Sequence, residues 1–151
     1  MSGLFRFIPP RVFQVLLIAI GVLWLLPGGT LLTPAWPLRL VGVLVFAAGL
    51  ALMLWAHHPF IRNGCEINPY KAPRNLMTTG AFAHSRNPMY LAFIVMLAGI
   101  SLFANDWGAL LTPAVFFAIA NGYFIRMEEE RAEDTFGADY LAYKGRVRRW
   151  L

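Results

Sequence analysis

Four long apolar stretches constrain the fold of this chain more than any motif in it. They cover residues 12–32, 38–55, 88–104 and 107–125, and their lengths are close to the ~20 residues that a helix needs to cross a hydrocarbon core of about 30 Å. Of the 151 residues only 14% are charged, whereas about a quarter are charged in a soluble domain. The sequence therefore predicts an all-α integral membrane protein with four transmembrane helices, in a single domain over residues 1–151.

The distribution of positive charge predicts the orientation of these spans. Arg39 follows the first span, and the other twelve of the 13 Lys and Arg residues precede it, separate spans two and three, or follow span four. Because Lys and Arg concentrate on the cytoplasmic side of membrane proteins, we expect both termini and the loop 57–87 to be cytoplasmic. The expected location is the bacterial inner membrane, and the net charge of +5 favours contact with anionic lipid.

Two segments that we expect to be cytoplasmic contain more apolar and aromatic residues than simple connections between helices need. The loop 57–87 is rich in apolar and aromatic residues, and ordered loops of this length commonly bind something. In the tail 126–151, aromatic and apolar residues recur at spacings of four and three, which predicts an amphipathic helix that Gly137 separates from span four. Its apolar face would hold Phe136, Tyr140, Tyr143, Val147 and Trp150. This helix could lie on anionic lipid or act as a lid over a site at the membrane surface.

The short connection at Asn105 and Asp106 makes spans three and four an antiparallel hairpin. Their cytoplasmic ends must then lie side by side. This places Arg86 and Tyr90 close to Arg126 and to the acidic run 128–130. A simpler interpretation is also open, in which Asn87 and Pro88 only start a helix and the glutamates form solvated ion pairs.

A ligand that suits these groups would combine an anion with an ammonium or sugar hydroxyls. Arg86 would hold the anion, and Glu128 or Glu129 would hold the ammonium or the hydroxyls. An adenine would stack on Phe82 or lie along the backbone near Gly80. S-adenosylmethionine has all of these parts and would enter from the cytoplasm.

Two segments resemble a known family. The segment LMTTGAFAHSRNPMYL, residues 76–91, is similar to the T-x-G-x-[FY]-x-x-x-R-[HN]-P-x-Y pattern of isoprenylcysteine carboxyl methyltransferases and their bacterial relatives. The tail EEERAEDTFGADYLAYKGRV resembles that family's E-E-x-x-x-x-x-x-F-G-x-x-Y-x-x-Y segment, with Glu128 and Glu129 on the paired glutamates. Phospholipid methyltransferases share much of this pattern, and the resemblance covers residues 62–150.

The resemblance implies S-adenosylmethionine-dependent methyl transfer to a lipophilic substrate at the cytoplasmic membrane face. Arg86, Glu128 and Glu129 would be the catalytic residues. Asn87 stands where the eukaryotic prenylcysteine enzymes have histidine, so a prenylated protein is not assumed as the substrate. The implied cofactor-binding residues are Met77, Thr79, Gly80, Phe82, His84, Arg86, Asn87, Pro88, Tyr90, Glu128 and Glu129.

Two other functions stay open at this level. Some sterol and steroid reductases, which bind NADPH, carry a similar R-x-P-x-Y segment, and a non-catalytic membrane scaffold or sensor could keep the same fold. His57, His58 and His84 lack the spacing of metal ligands, so no metal site is expected. The expected partners are membrane lipids and a lipophilic or lipid-linked substrate, without nucleic acid.

Overall fold

The structure, a computed structural model, describes residues 8–26, 30–31, 33, 35–62 and 75–151, with the side chains of 60–62 excepted. Throughout these ranges the fold is all-α, and the only β-type pairing in them is an isolated bridge between Thr30 and Asp106. The elements are α1 (Pro9–Leu25), α2 (Trp36–Arg62), a 3-10 turn (Gly80–Ala83), α3 (Pro88–Ala104), α4 (Leu111–Ile119), a π-helical segment (Ala120–Phe124), α5 (Ile125–Phe136) and α6 (Ala138–Arg146). Cys65 and the centre of the predicted cytoplasmic loop lie outside the described residues.

Within the described ranges, one helix is long and apolar enough to cross a membrane by length and composition. It is Trp36–Pro59 within α2, with 24 residues and a mean hydropathy of 2.2. Only 11% of its most apolar window is buried, whereas the core helix of a soluble protein would be mostly covered. The helices α1 and α3 are apolar but shorter, at 17 residues each.

The predicted bounds of the first three spans meet different outcomes. The bounds of the third are confirmed as those of a helix, because α3 runs from Pro88 to Ala104 and ends where Asn105 takes a left-handed conformation with φ 57°. The first predicted span is too long, because α1 already ends at Leu25. Leu26 is extended, as expected for a residue that precedes a proline. The second is too short, since α2 continues through Pro59 to Arg62.

The fourth predicted span is not one regular helix. The turn after α3 occupies residues 105–110, where the Asp106 carboxylate accepts from Ala109 N at 3.0 Å, so α4 starts at Leu111 rather than at 107. Pro113 lies in the first turn of α4, where its missing N–H has no helical partner to lose. The irregularity is instead the π-helical segment Ala120–Phe124, after which α5 extends to Phe136.

Close backbone contact holds α2 and α3 together. A Cβ atom built on Gly99 would lie 2.5 Å from Phe46 N and 2.7 Å from Gly42 O. The absence of a side chain at Gly99 therefore lets the two backbones touch, as small residues do between membrane helices. α3 also packs against α4, where Ser101 Oγ and Thr112 Oγ1 form a hydrogen bond at 3.3 Å. These contacts make α3 the centre of the bundle.

The C-terminal region differs from the single amphipathic helix that the spacing predicts. Gly137, with φ 52°, does separate α5 from α6, as expected. However, α6 ends at Arg146, so Val147 and Trp150 lie beyond it and do not share a helical face with Tyr140 and Tyr143. The predicted register fails because the helix stops before Val147, whose backbone is extended. We call residues 147–151 the C-terminal segment.

Candidate functional site

A cavity of about 790 Å³ lies at the end of the bundle where α1 begins, α2 ends and α3 begins. Its volume is within the ~300–1,000 Å³ usual for small-molecule sites. Apolar residues from three helices form much of the wall, among them Ile8, Pro9, Met53, Leu54, Phe93 and Met96. The polar side chains of the lining are Arg11, His57, Arg86, Asn87, Tyr90 and Glu128. Such a cavity suits a ligand with one long apolar part and one charged part.

The predicted meeting of the ends of spans three and four is confirmed. Arg86 Nη2 donates to Glu129 Oε1 at 2.9 Å, and Tyr90 Oη donates to Glu128 Oε1 at 2.7 Å. Both contacts join the start of α3 to α5 across the hairpin. Arg126 and Glu130 are exposed and take no part in this cluster.

Arg86 is held almost out of solvent, with a side-chain exposure of 9%. Its Nη1 donates to the carbonyl of Lys144 at 3.1 Å and its backbone N donates to the carbonyl of Arg148 at 3.0 Å. Its Nε is buried without a hydrogen-bond partner. A buried donor without a partner costs about 1–3 kcal/mol of stability. A ligand that offered an acceptor to this Nε would remove that cost.

Two guanidinium groups share the carboxylate of Glu129. Arg149 donates from Nε to Oε1 at 3.2 Å and from Nη2 to Oε2, while Arg86 also reaches Oε1. Two positive charges against one negative charge leave an excess positive charge in this cluster. Glu129 does not line the cavity. Its part in binding the cofactor stays a prediction, and the two arginines occupy both of its oxygens.

Glu128, by contrast, faces the cavity. Burial raises the pKa of Glu128 to about 7, an effect that the hydrogen bond from Tyr90 and the charge of Arg131 only partly offset. A carboxyl group with this pKa changes its charge near neutral pH. Such perturbed groups concentrate in functional sites.

The C-terminal segment is bound to the residues that start α3. Asn87 Nδ2 donates to the carbonyl of Arg149 at 3.0 Å, and Ser85 Oγ donates to the same oxygen at 3.4 Å. Asn87 is in the N-cap position of α3, yet its side chain makes no capping bond, because it holds this segment instead. Trp150 Nε1 donates to Asn121 Oδ1 at 3.2 Å, which attaches the segment to the π-helical segment as well.

Six of the predicted cofactor-binding residues line the cavity: Phe82, Arg86, Asn87, Pro88, Tyr90 and Glu128. The other members of the set do not. Met77 packs against Phe82 and Ala56, and Thr79 and Gly80 are exposed. His84 is also exposed, with its ring 5.9 Å from that of Trp55. Gly80 contributes through its backbone, since its φ of +62° is a left-handed conformation that glycine adopts more readily than other residues.

Sequence reasoning misses several residues that build the site. Neither Arg149 nor Asn121 stands out in any motif. Tyr143 is the last tyrosine of the quoted tail segment and is expected only on an apolar face, yet its hydroxyl donates to the carbonyl of Phe82 at 2.7 Å. Contacts of this kind join residues far apart in the chain, and no local periodicity reports them. Within the described part of the chain, no three His, Cys, Asp or Glu residues are grouped as metal ligands.

One apolar helix long enough to cross a membrane, together with a cavity that has a polar end, favours a membrane-associated protein with a small-molecule site. Over residues 38–139 the chain matches the phospholipid methyltransferase family. The match covers well over half of the chain, which therefore belongs to that family, and its class is that of membrane methyltransferases. Isoprenylcysteine carboxyl methyltransferases belong to the same superfamily.

One relative is an uncharacterized protein of Haemophilus influenzae. It is 36% identical over 63 residues, which are 42% of this chain and 100% of the relative. The relative therefore matches part of this chain along its own full length. No solved structure matches the chain significantly.

Proposed function

We propose that the protein transfers a methyl group from S-adenosylmethionine to a lipophilic substrate at the cytoplasmic face of a membrane. The observation that carries this proposal is the cavity itself, which combines Arg86 and Glu128 with an apolar wall. Family membership supplies the reaction class. The four-span topology, the cytoplasmic termini and the similarity to isoprenylcysteine carboxyl methyltransferases belong to the same proposal.

The residues present fit the proposed cofactor. Its carboxylate would give the buried Nε of Arg86 an acceptor and would balance the excess positive charge around Glu129. Its ammonium or ribose hydroxyls would suit Glu128 in the ionised form. Phe82 offers an aromatic ring on the same cavity wall for the adenine.

The chain's own contribution to the reaction would be positioning. A nucleophile of the substrate would attack the methyl carbon of the bound sulfonium in line, with the C–S bond breaking and the neutral thioether leaving. Arg86, fixed by Glu129 and by the carbonyl of Lys144, would hold the amino-acid end in one place. Because reacting atoms must be held about 3–3.5 Å apart, orientation of this kind supplies much of the acceleration. The proposal needs no covalent protein nucleophile.

The apolar wall supports a lipophilic substrate. Met53 and Leu54 of α2 and Pro9 of α1 border the cavity from two helices, and we propose that the substrate enters between these helices from the lipid. Methionine side chains adapt to different apolar shapes, and Met53, Met89 and Met96 all line the cavity.

The test is calorimetric titration of S-adenosylhomocysteine into detergent-purified protein, with NADPH as the parallel titrant. We expect S-adenosylhomocysteine to bind and Arg86→Ala to weaken it by about 30-fold or more, because truncating a buried charged partner costs about 2 kcal/mol at least. Arg146→Ala is the control, since it removes an exposed charge from the last turn of α6. Binding of NADPH in place of S-adenosylhomocysteine would favour a reductase. Binding of neither would favour a non-catalytic scaffold or sensor.

A further inference from the structure

The carboxylate of Glu129 pairs with two cations, Arg86 and Arg149, and the second of them has no role in the site as described so far. Arg86 lines the cavity, but Arg149 does not. The side chain of Arg149 is also more exposed, at 32% against 9% for Arg86. Exposed ion pairs contribute little to stability. Arg149 nevertheless donates to both oxygens of a buried glutamate. An arginine that only stabilised the protein surface would not need this two-bond contact.

Arg149 limits what Glu129 can do with Arg86. Arginine and carboxylate groups prefer two parallel hydrogen bonds. Because Arg149 occupies both oxygens of Glu129, Arg86 makes only one bond to this carboxylate, and its Nε has no partner. Without Arg149, Glu129 would be free to take the guanidinium of Arg86 with both oxygens. The donor that a ligand carboxylate needs would then be consumed inside the protein.

We propose that Arg149 is a positioning residue that sets the affinity of the site for the carboxylate of its ligand, acting through Glu129 on Arg86. The inference rests on the proposed function, because it takes the ligand to be an amino-acid-bearing cofactor. Arg149 also supplies the positive charge in excess over Glu129. Its loss would therefore weaken anion binding by charge as well as by geometry.

Two ligands separate this role from a general structural one. S-adenosylhomocysteine carries the carboxylate, whereas 5′-methylthioadenosine has the same adenosine and thioether without the amino-acid group. Calorimetry of wild-type protein, Arg149→Ala and the control Arg146→Ala would measure both affinities. We expect Arg149→Ala to weaken S-adenosylhomocysteine by about tenfold or more and to leave methylthioadenosine within about twofold. Arg149→Lys should lie in between, because lysine keeps the charge but not the forked geometry.

The outcomes are distinct. Equal losses for both ligands in Arg149→Ala and Arg149→Lys would mean that the C-terminal segment only closes the pocket, which overturns the inference. Unchanged affinity for both ligands in Arg149→Ala would overturn it as well. If Arg149→Ala binds neither ligand, Arg149→Lys decides by the same comparison. If the wild-type protein fails to bind S-adenosylhomocysteine, the proposed function falls and the inference falls with it.

Discussion

At the scale of single residues, the site depends on how Glu128 and Glu129 divide their work. They are neighbours in sequence, but Glu129 is paired with two arginines while Glu128 meets Tyr90 and the cavity. The hydrogen bond from Tyr90 favours the ionised form of Glu128, and burial opposes it more strongly. The charge of Glu128 therefore responds to pH near neutrality and to a bound cation.

The pKa of Glu128 predicts how cofactor binding depends on pH. If the ionised carboxylate receives the ammonium or the ribose hydroxyls, the affinity for S-adenosylhomocysteine should rise by up to about tenfold from about pH 6 to about pH 8, with a midpoint near the pKa of about 7. Calorimetry across this range measures it. Tyr90→Phe should move the midpoint upward, because it removes the bond that lowers this pKa.

Glu128→Gln is the control for that titration, since it removes the ionising group and keeps the shape. A rise of equal size in Glu128→Gln would assign the pH dependence to the ligand and contradict the role of Glu128.

The contribution of Glu128 to the stability of the fold should change with pH in the opposite direction to the affinity, falling as the pH rises. A carboxyl whose folded pKa is raised from 4.5 to about 7 favours folding most below pH 4.5, and that contribution is lost as the pH rises through about 7.

At the scale of elements, the sequence predicted those helix bounds that are set by residues at the helix ends themselves. The bounds of α3 were predictable because proline at its first position and asparagine after its last are signals within the helix's own sequence. Pro27 also marks the end of α1 locally, although apolar residues beyond it led to a longer predicted span. The extent of α2 was not predictable in this way, since its apolar composition stops before the helix ends. The C-terminal segment is held by residues distant in the chain, such as Glu129 and Asn87, and no spacing encodes these contacts.

The contact between α2 and α3 predicts a strong effect of one small substitution. Gly99→Ala should lower the unfolding temperature in detergent, because the new Cβ would fall 2.5 Å from Phe46 N in the backbone of α2. Overpacking of this kind costs about 1–3 kcal/mol. Thermal denaturation of the purified protein measures the change.

Gly21→Ala is the matched control for Gly99→Ala. Gly21 also lies within an apolar helix, α1, but a Cβ atom added there would meet nothing within 4 Å. Its replacement by alanine should be neutral or stabilising by up to about 1 kcal/mol, through helix propensity alone. Equal stability of both variants and the wild type would contradict the close packing of α2 on α3.

At the scale of the whole molecule, the cavity and most of the positive charge lie at the same end of the helix bundle. The cavity lies where α1 begins and α2 ends, the end of the bundle that carries most of the positive charge. Arg39, the exception, lies near the opposite end and places its guanidinium 5.9 Å from the centre of the Phe103 ring, a favourable contact for a cation. In the proposed orientation, a water-soluble cofactor would reach the site from the cytoplasm, and a lipophilic substrate from the bilayer.

This arrangement predicts which positions are reachable from each side of the membrane. Cys65 is the only cysteine of the sequence, so single cysteines can be introduced in a Cys65→Ser background at Trp107 and Asp139, both of which are exposed. A membrane-impermeant maleimide should label Trp107→Cys in intact spheroplasts and Asp139→Cys only after lysis. The opposite pattern would invert the proposed orientation. Labelling of both from one side would mean that the segment between them does not cross the membrane, which contradicts the four-span topology.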